Sequence, residues 1–294
     1  MIAMLLLFAA SAAREEIAPL VQCVEHNDRA CVARRLSRKP VSGSPEFLSA
    51  AARGYVLLGD RTHAVEAIVA AVAQRPDDFT LLMNQGWVYQ RCGDQVSAIR
   101  SFLLASQQDK SAPAVFYELG MSFFLVHEFD RAATHFRHAI ELHSGDGRAD
   151  FMLGVLDVLK DLLPDAKKHF ERALELEPRN AHYLLHYGVV LMRLNENDAA
   201  LERMQQAEKL DSANPLIHFN LGRLYRAAGN LDDAQRELET AVRLRPEFSG
   251  AHYALAGIYR RRGRQPDSAK ELALYTKFKR QDDDGDPVDA TLTP

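Results

Sequence analysis

Small and apolar residues return along the chain with a period of 34. Gly86, Gly120, Gly154, Gly188 and Gly222 are each 34 apart, and Ala52 and Ala256 extend the series both ways. Taking this small residue as position 8 divides residues 45–282 into seven repeats that start at 45, 79, 113, 147, 181, 215 and 249, without insertion or deletion. Position 20 is Ala64, Ala98, Ala132, Ala166, Ala200, Ala234 and then Ser268. Position 27 is Ala71, Ala105, Ala139, Ala173, Ala207 and Ala241, then Tyr275. Position 24 is large and apolar throughout: Ile68, Phe102, Phe136, Phe170, Met204, Leu238, Leu272. Position 11 is aromatic or Leu except at Asp157. The spacings of three and four predict two amphipathic helices per repeat. Small residues at 8 and 20 let the pair approach closely, and bulky ones at 11 and 24 fill the space beside them. Gly59, Gly93, Gly229 and Gly263 at position 15 mark the turn, and Pro76, Pro178 and Pro246 at position 32 close second helices. No such pair buries its apolar faces alone, so the repeats must stack.

Ahead of the repeats, Ile17, Leu20, Val21 and Val24 share one helical face, and a second short helix is predicted from Arg29 to Arg38. Residues 13–44 thus form a helical hairpin and linker. Cys23 and Cys31 lie on the two arms, where they pair as a disulfide or sit as two buried thiols. Residues 1–12 carry an apolar run and the small residues Ala10, Ser11 and Ala12, as a cleavable export signal does, although no Lys or Arg precedes the run. The alternative is an ordinary apolar terminus. Export predicts a periplasmic or secreted protein with no membrane span after signal removal; otherwise the protein is cytoplasmic.

The small residue at 8, aromatic at 11, Ala at 20, bulky residue at 24, Ala at 27 and Pro at 32 together resemble the tetratricopeptide repeat family. The resemblance covers residues 45–282. It implies an all-α fold, a right-handed α-α superhelix whose first helices line a concave groove. It also implies a protein that binds protein or peptide partners. The family's Trp at position 4 is missing: Leu48, Leu82, Phe116, Asp150, Leu184, His218 and His252 stand there. Repeat 7 departs at positions 20 and 27, as a terminal cap does.

Composition adds little until it is divided. The chain of 294 residues has 36 basic and 40 acidic side chains, a net charge of −4 and 47% hydrophobic residues. These values exclude wholesale disorder and a strongly basic nucleic-acid binder. Residues 281–294 hold five Asp and no Lys or Arg, so removing that −5 leaves +1 for residues 1–280. The stretch 283–294 is predicted to be a disordered acidic tail, either solvated or folded back on the groove. In the family, positions 2, 5, 9, 12 and 13 face the groove. Here they include Arg53, Arg91, Arg148, Arg193, Arg223, Arg226, Arg260 and Arg261, one acid (Glu46) and no Lys. Apolar groove positions include Trp87, Tyr117, Met121 and Phe124, then Phe151, Val155, Met192, Phe219 and Tyr253. Arg suits bidentate contact with carboxylates and aromatics suit binding hot spots. The expected ligand is an acidic peptide or a C-terminal segment, against the alternative of a solvated basic face.

Catalytic signatures are absent: there is no Gly-rich phosphate loop, G-x-S-x-G or H-E-x-x-H. Asp150 and Asp157 share a helix stripe and either form an acid/base pair or find a neighbouring Arg or His. His135/His138 and His182/His186 have helical spacing but no obvious third ligand, so no metal or other cofactor is assigned. The expected function is a non-catalytic scaffold or adaptor that binds a peptide segment in an envelope assembly, with no small-molecule substrate. The alternatives are a single-stranded nucleic-acid binder using Arg and aromatics, and a metal-dependent activity at the His pairs or Asp150/Asp157.

Overall fold

The computed structural model describes residues 17–36, 43–142 and 145–283, with side chains through residue 279. The proposed signal and residues 284–294 of the acidic tail lie outside the described residues, whereas Asp283, expected to begin the disordered tail, is the last residue of the final helix. Every element among them is helical. Helix α1 spans 17–25, α2 is Arg29–Leu36, and seven helix pairs follow. In the first of two compact units, up to Ser144, they are α3 (Pro45–Leu58) with α4 (Arg61–Gln74), α5 (Phe79–Cys92) with α6 (Gln95–Gln108), and α7 (Pro113–Leu125) with α8 (Phe129–Glu141). The second unit, from Gly145, holds α9 (Arg148–Leu159) with α10 (Leu163–Leu176), α11 (Ala181–Arg193) with α12 (Asn197–Leu210), α13 (Pro215–Ala227) with α14 (Leu231–Leu244), and α15 (Ser249–Arg261) with α16 (Gln265–Asp283). Six first helices begin at the first position of their repeat, and α9 begins one residue later. Within each unit the second helix of one repeat also packs on the first helix of the next. This is the α-α solenoid architecture.

The 34-residue pattern is written in the packing. Ala at positions 20 and 27 is fully buried in the first six repeats. Phe102, Phe136 and Phe170 at position 24 are also fully buried. Their rings lie where a side chain at position 8 would start: a Cβ on Gly86, Gly120 or Gly154 would meet the ring at 2.4, 2.5 or 2.8 Å. Position 8 is therefore small because position 24 of the same repeat occupies its space. In repeat 7, Ser268 replaces Ala at position 20, and its hydroxyl donates to the Ala256 carbonyl at 2.9 Å.

The turn at position 15 is left-handed in every repeat, although Gly occupies it in only four. Gly59, Gly93, Gly229 and Gly263 have φ between 73° and 88°, and His127, Asp161 and Asn195 adopt φ of 60°, 58° and 63°. In each repeat the next N–H then bonds the position 11 carbonyl, from Asp60 to Tyr55 at 2.9 Å through Arg264 to Tyr259 at 2.9 Å. This is the 6→1 bond of a helix ending on a left-handed residue. Asp60, Asp94 and Asn230 then cap the second helix through their side chains, whereas Glu128, Leu162 and Glu196 do not.

The missing Trp at position 4 is replaced in three repeats by a polar pair with position 23. His218 Nδ1 meets Glu237 at 2.8 Å and His252 Nδ1 meets Glu271 at 2.6 Å, while the Nε2 atoms meet the Ser212 and Pro246 carbonyls at 3.0 and 2.8 Å. Repeat 4 inverts the arrangement. Asp150, 3% exposed, bonds His169 at 3.1 Å, with Arg172 at 3.5 Å. Asp157 faces the same His169 at 3.8 Å. The two carboxylates that the sequence offered as an acid/base pair are thus tied to one imidazole.

Candidate functional site

Helices α3, α5 and α7 of the first unit are successive neighbours, and a cleft lies where α1 meets α3 and α5. Helix α1 supplies one wall through Ile17, Val21 and Val24, and α3 and α5 supply Ala50, Arg53, Leu81 and Asn84. The cleft measures about 390 Å³ and its lining is mainly apolar. Helix α1 is held there because Leu20 and Cys23 are buried against Ala50 and Ala51 of α3, with Val32 and Leu36 of α2 closing the cluster. Cys23 and Cys31 have Cα atoms 5.7 Å apart and are joined as a disulfide, and Cys92 is free. The rim is neutralised at Arg75, which pairs with Glu46 and, at 3.2 Å, with Asp78. The Glu46 carboxyl lies below its usual range, first because a backbone N–H at the start of α3 bonds it, and then because Arg75 offsets its burial.

Beside this cleft Trp87 stands half-buried between two guanidinium groups. The Arg53 and Arg91 carbons each lie 5.6 Å from the indole centroid, within cation–π range. Arg53, Met83, Asn84, Trp87 and Phe102 line an adjoining pocket of about 240 Å³, together with one carboxylate, Glu118 of α7. Among the described residues no carboxylate pairs with Arg53 or Arg91. Tyr117, Met121 and Phe124 continue the face of α7 as half-buried side chains, with Tyr117 against Phe136 and Phe124 against Phe129, 5.7 Å between centroids in each pair.

The second unit carries a separate set. Arg223 lies over Phe219 at 5.6 Å and donates to Asn220 at 3.3 Å. Arg226, Tyr253 and Arg260 surround a small pocket of about 80 Å³. Arg223, Arg226, Arg260 and Arg261 lack carboxylate partners among the described residues, whereas Arg193 is bound to Asp161 at 2.7 Å and Arg148 to Asp146 at 2.8 Å. Phe151 and Val155, expected as groove floor, are core residues at 3% and 0% exposure. The Phe151 ring is covered by Tyr183 and His182 of α11, with centroids 4.7 and 4.9 Å away. Met192 is half-buried.

Among the described residues, neither histidine pair meets a third metal-ligating side chain. His135 stacks on Phe123 at 5.2 Å, and burial lowers its pKa; His138 turns to Glu141 at 3.3 Å. His182 and His186 meet edge to face at 4.5 Å against Phe151. Burial, followed by the neighbouring His182, pushes His186 down to about 3. The wall made by α1 was encoded in the Ile17, Val21 and Val24 stripe, but the sequence did not show where that stripe docks.

Residues 219–286 match a family described as a tetratricopeptide repeat, and residues 188–225 match one described as a TPR repeat. No curated protein matches the chain. The solved Cut9 complex with Hcn1 of the APC/C superposes with a TM-score of 0.63 at 17% identity, over 81% of this chain and 48% of that one. This chain therefore spans about half the length of that neighbour. Pseudomonas aeruginosa pilF matches with a TM-score of 0.63 at 18% identity, over 70% of this chain and 94% of its own. YrrB, described as a TPR protein with an unusual peptide-binding site, matches with a TM-score of 0.54 at 22% identity, over 65% and 98%. These similarities establish the fold.

Proposed function

The chain is a tetratricopeptide repeat protein, and from that premise we propose that it is a non-catalytic scaffold docking an acidic peptide segment of a partner protein on the first unit. The observation that carries this reading is Trp87 flanked by Arg53 and Arg91, two cations without carboxylate partners among the described residues, beside an apolar cleft of about 390 Å³. Planar guanidinium groups held over an aromatic face are oriented for bidentate contact with carboxylates, and the cleft accepts an apolar anchor. Peptide binding is described for YrrB; for this chain it rests on these residues. Arg223, Arg226 and Arg260 offer a second basic surface of the same chemistry on the second unit.

The test is a peptide-display selection on the protein, followed by titration of selected peptides with Trp87 fluorescence as the readout. Trp87 is the single tryptophan, so the signal reports this site. Selected peptides should be acidic, and Arg53→Ala/Arg91→Ala should weaken them about tenfold or more, the worth of a charge-assisted hydrogen bond. Peptides without acidic bias, or equal binding by the double variant, would refute the proposal. Tighter binding of an oligonucleotide, falling steeply with salt, would favour the nucleic-acid reading instead. Placement in an envelope assembly is part of the same proposal. It draws on the apolar leader and on a Cys23–Cys31 pair suited to an oxidising compartment. N-terminal sequencing of the mature protein tests it, since export predicts a start at residue 13.

A further inference from the structure

Ligand atoms of three side chains meet between α12, α13 and α14 in the second unit. A ring nitrogen of His218 and carboxylate oxygens of Glu208 and Glu237 all lie within 4.8 Å of one another. His218 and Glu237 are 4% and 8% exposed, and Glu208 is half-buried. The His218 tautomer is set from outside the cluster. Nε2 lies 3.0 Å from the Ser212 carbonyl, which can only accept, so Nε2 carries a hydrogen and Nδ1 faces the carboxylates. An imidazole whose second nitrogen donates to a backbone carbonyl is the usual support of a metal-ligating His.

The repeat supplies an internal comparison. His252 and Glu271 in repeat 7 reproduce the imidazole, the carboxylate and the backbone carbonyl at 2.6 and 2.8 Å. The polar pair is therefore an architectural substitute for the missing Trp. What distinguishes the His218 pair is Glu208, at position 28 of repeat 5. The same position beside the His252 pair is Val242, and in repeats 1, 3 and 4 it is Val72, Ile140 and Leu174. Val72 and Val242 pack on apolar clusters. A carboxylate thus replaces an aliphatic side chain at the one place where it completes a third ligand. Glu208 has no hydrogen-bond or ion-pair partner among the described residues. Glu237 has one further cation within reach, Arg236 at 3.8 Å, whose closer bond is to Asp233. A second carboxylate beside Glu237 on one imidazole is unfavourable unless a cation joins them, either a proton on His218 Nδ1 or a metal ion in its place.

We propose that Glu208, His218 and Glu237 bind a divalent zinc ion. One nitrogen and two carboxylate ligands suit zinc at about 2.0–2.2 Å each, and three protein ligands leave a fourth position for water. Ligands on one tetrahedral ion stand roughly 3.4 Å apart, so the 2.8 Å His218–Glu237 contact opens slightly and Glu208 closes in. Any proton on His218 Nδ1 leaves to solvent as the metal enters.

Zinc is titrated into the full-length chain, freed of metal by a chelator, against a competing chromogenic chelator, together with Glu208→Val, Glu208→Gln and His252→Phe. Val is native at this position in repeats 1 and 6, and Gln keeps the size of Glu should Val disturb folding. The wild type and His252→Phe should hold one equivalent that both Glu208 variants lose or bind at least tenfold more weakly. Zinc should raise the Tm of the first two only. Cobalt in the same site should show d–d bands without a thiolate charge-transfer band. Equal zinc affinity and equal Tm shifts in the wild type and the Glu208 variants would overturn the proposal, and so would a thiolate band, which assigns the metal to Cys92.

Discussion

A buried histidine in this protein acts as a core residue with a titratable edge. His186 packs against Phe151, Phe170 and His182, and burial holds its pKa near 3. Unfolded histidine titrates near 6.5. Above that value both states are neutral and the group costs nothing. Below it the unfolded chain binds a proton that the folded chain refuses, so stability falls by about 1.4 kcal/mol per pH unit until the folded pKa is reached. Urea unfolding at pH 7 and pH 5 should show His186→Leu losing about 2 kcal/mol less between the two than the wild type does. An unchanged difference would mean that this imidazole is not held neutral. His127, Asp161 and Asn195 show the same scale at work in the backbone: their left-handed conformations follow from the turn that each repeat requires.

The helix pair is the element on which the sequence pattern acts. Its geometry is fixed by the exchange of volume between positions 8 and 24, large ring against absent side chain. Gly86→Ala places a Cβ 2.4 Å from the Phe102 ring and should destabilise the protein by about 1–3 kcal/mol, the usual cost of overpacking. Repeat 1 solves the same packing with Ala52 and Ile68. The double variant Gly86→Ala/Phe102→Ile should therefore recover a large part of that loss, so the two changes are far from additive. Denaturant unfolding of the four members of the cycle checks this; additive losses would show that positions 8 and 24 do not share one space.

At the scale of the whole molecule, repeats stabilise one another through neighbours and not through a common centre. In the second unit α13 packs on α14, α12, α11 and α15, whereas α16 packs on α15. The last helix also exposes more of its apolar surface, with Leu272 at 38% exposure against 0% for Leu238 at the same repeat position. Hydrogen exchange should therefore be faster through α16 than through α11 and α13. Equal protection along this unit would contradict nearest-neighbour stacking. Charge follows a similar division. The net −4 hides a −5 stretch at 281–294, while the cations of the proposed docking face, Arg53 and Arg91, sit singly on α3 and α5.

The helices, their phase, the small and large core positions and the resemblance to a repeat family were all legible in the sequence alone. They depend on short-range spacing and on volume rules that repeat every 34 residues. The candidate docking face was only partly legible. Arg53, Trp87 and Arg91 could be assigned to it because the resemblance to the repeat family carries that family's facing positions over to them. Phe151 and Val155 stand at positions 5 and 9 of the same pattern, yet the tertiary structure buries both, with Phe151 covered by Tyr183 and His182 of α11. Likewise Asp150 and Asp157 become partners of His169 once α10 folds against α9. Glu208, His218 and Glu237 are spread over 30 residues and three helices, so no local spacing announces them. Contacts between helices depend on which side chains the packed helix brings, whether from the same repeat or the next, and that is decided only when the helices pack.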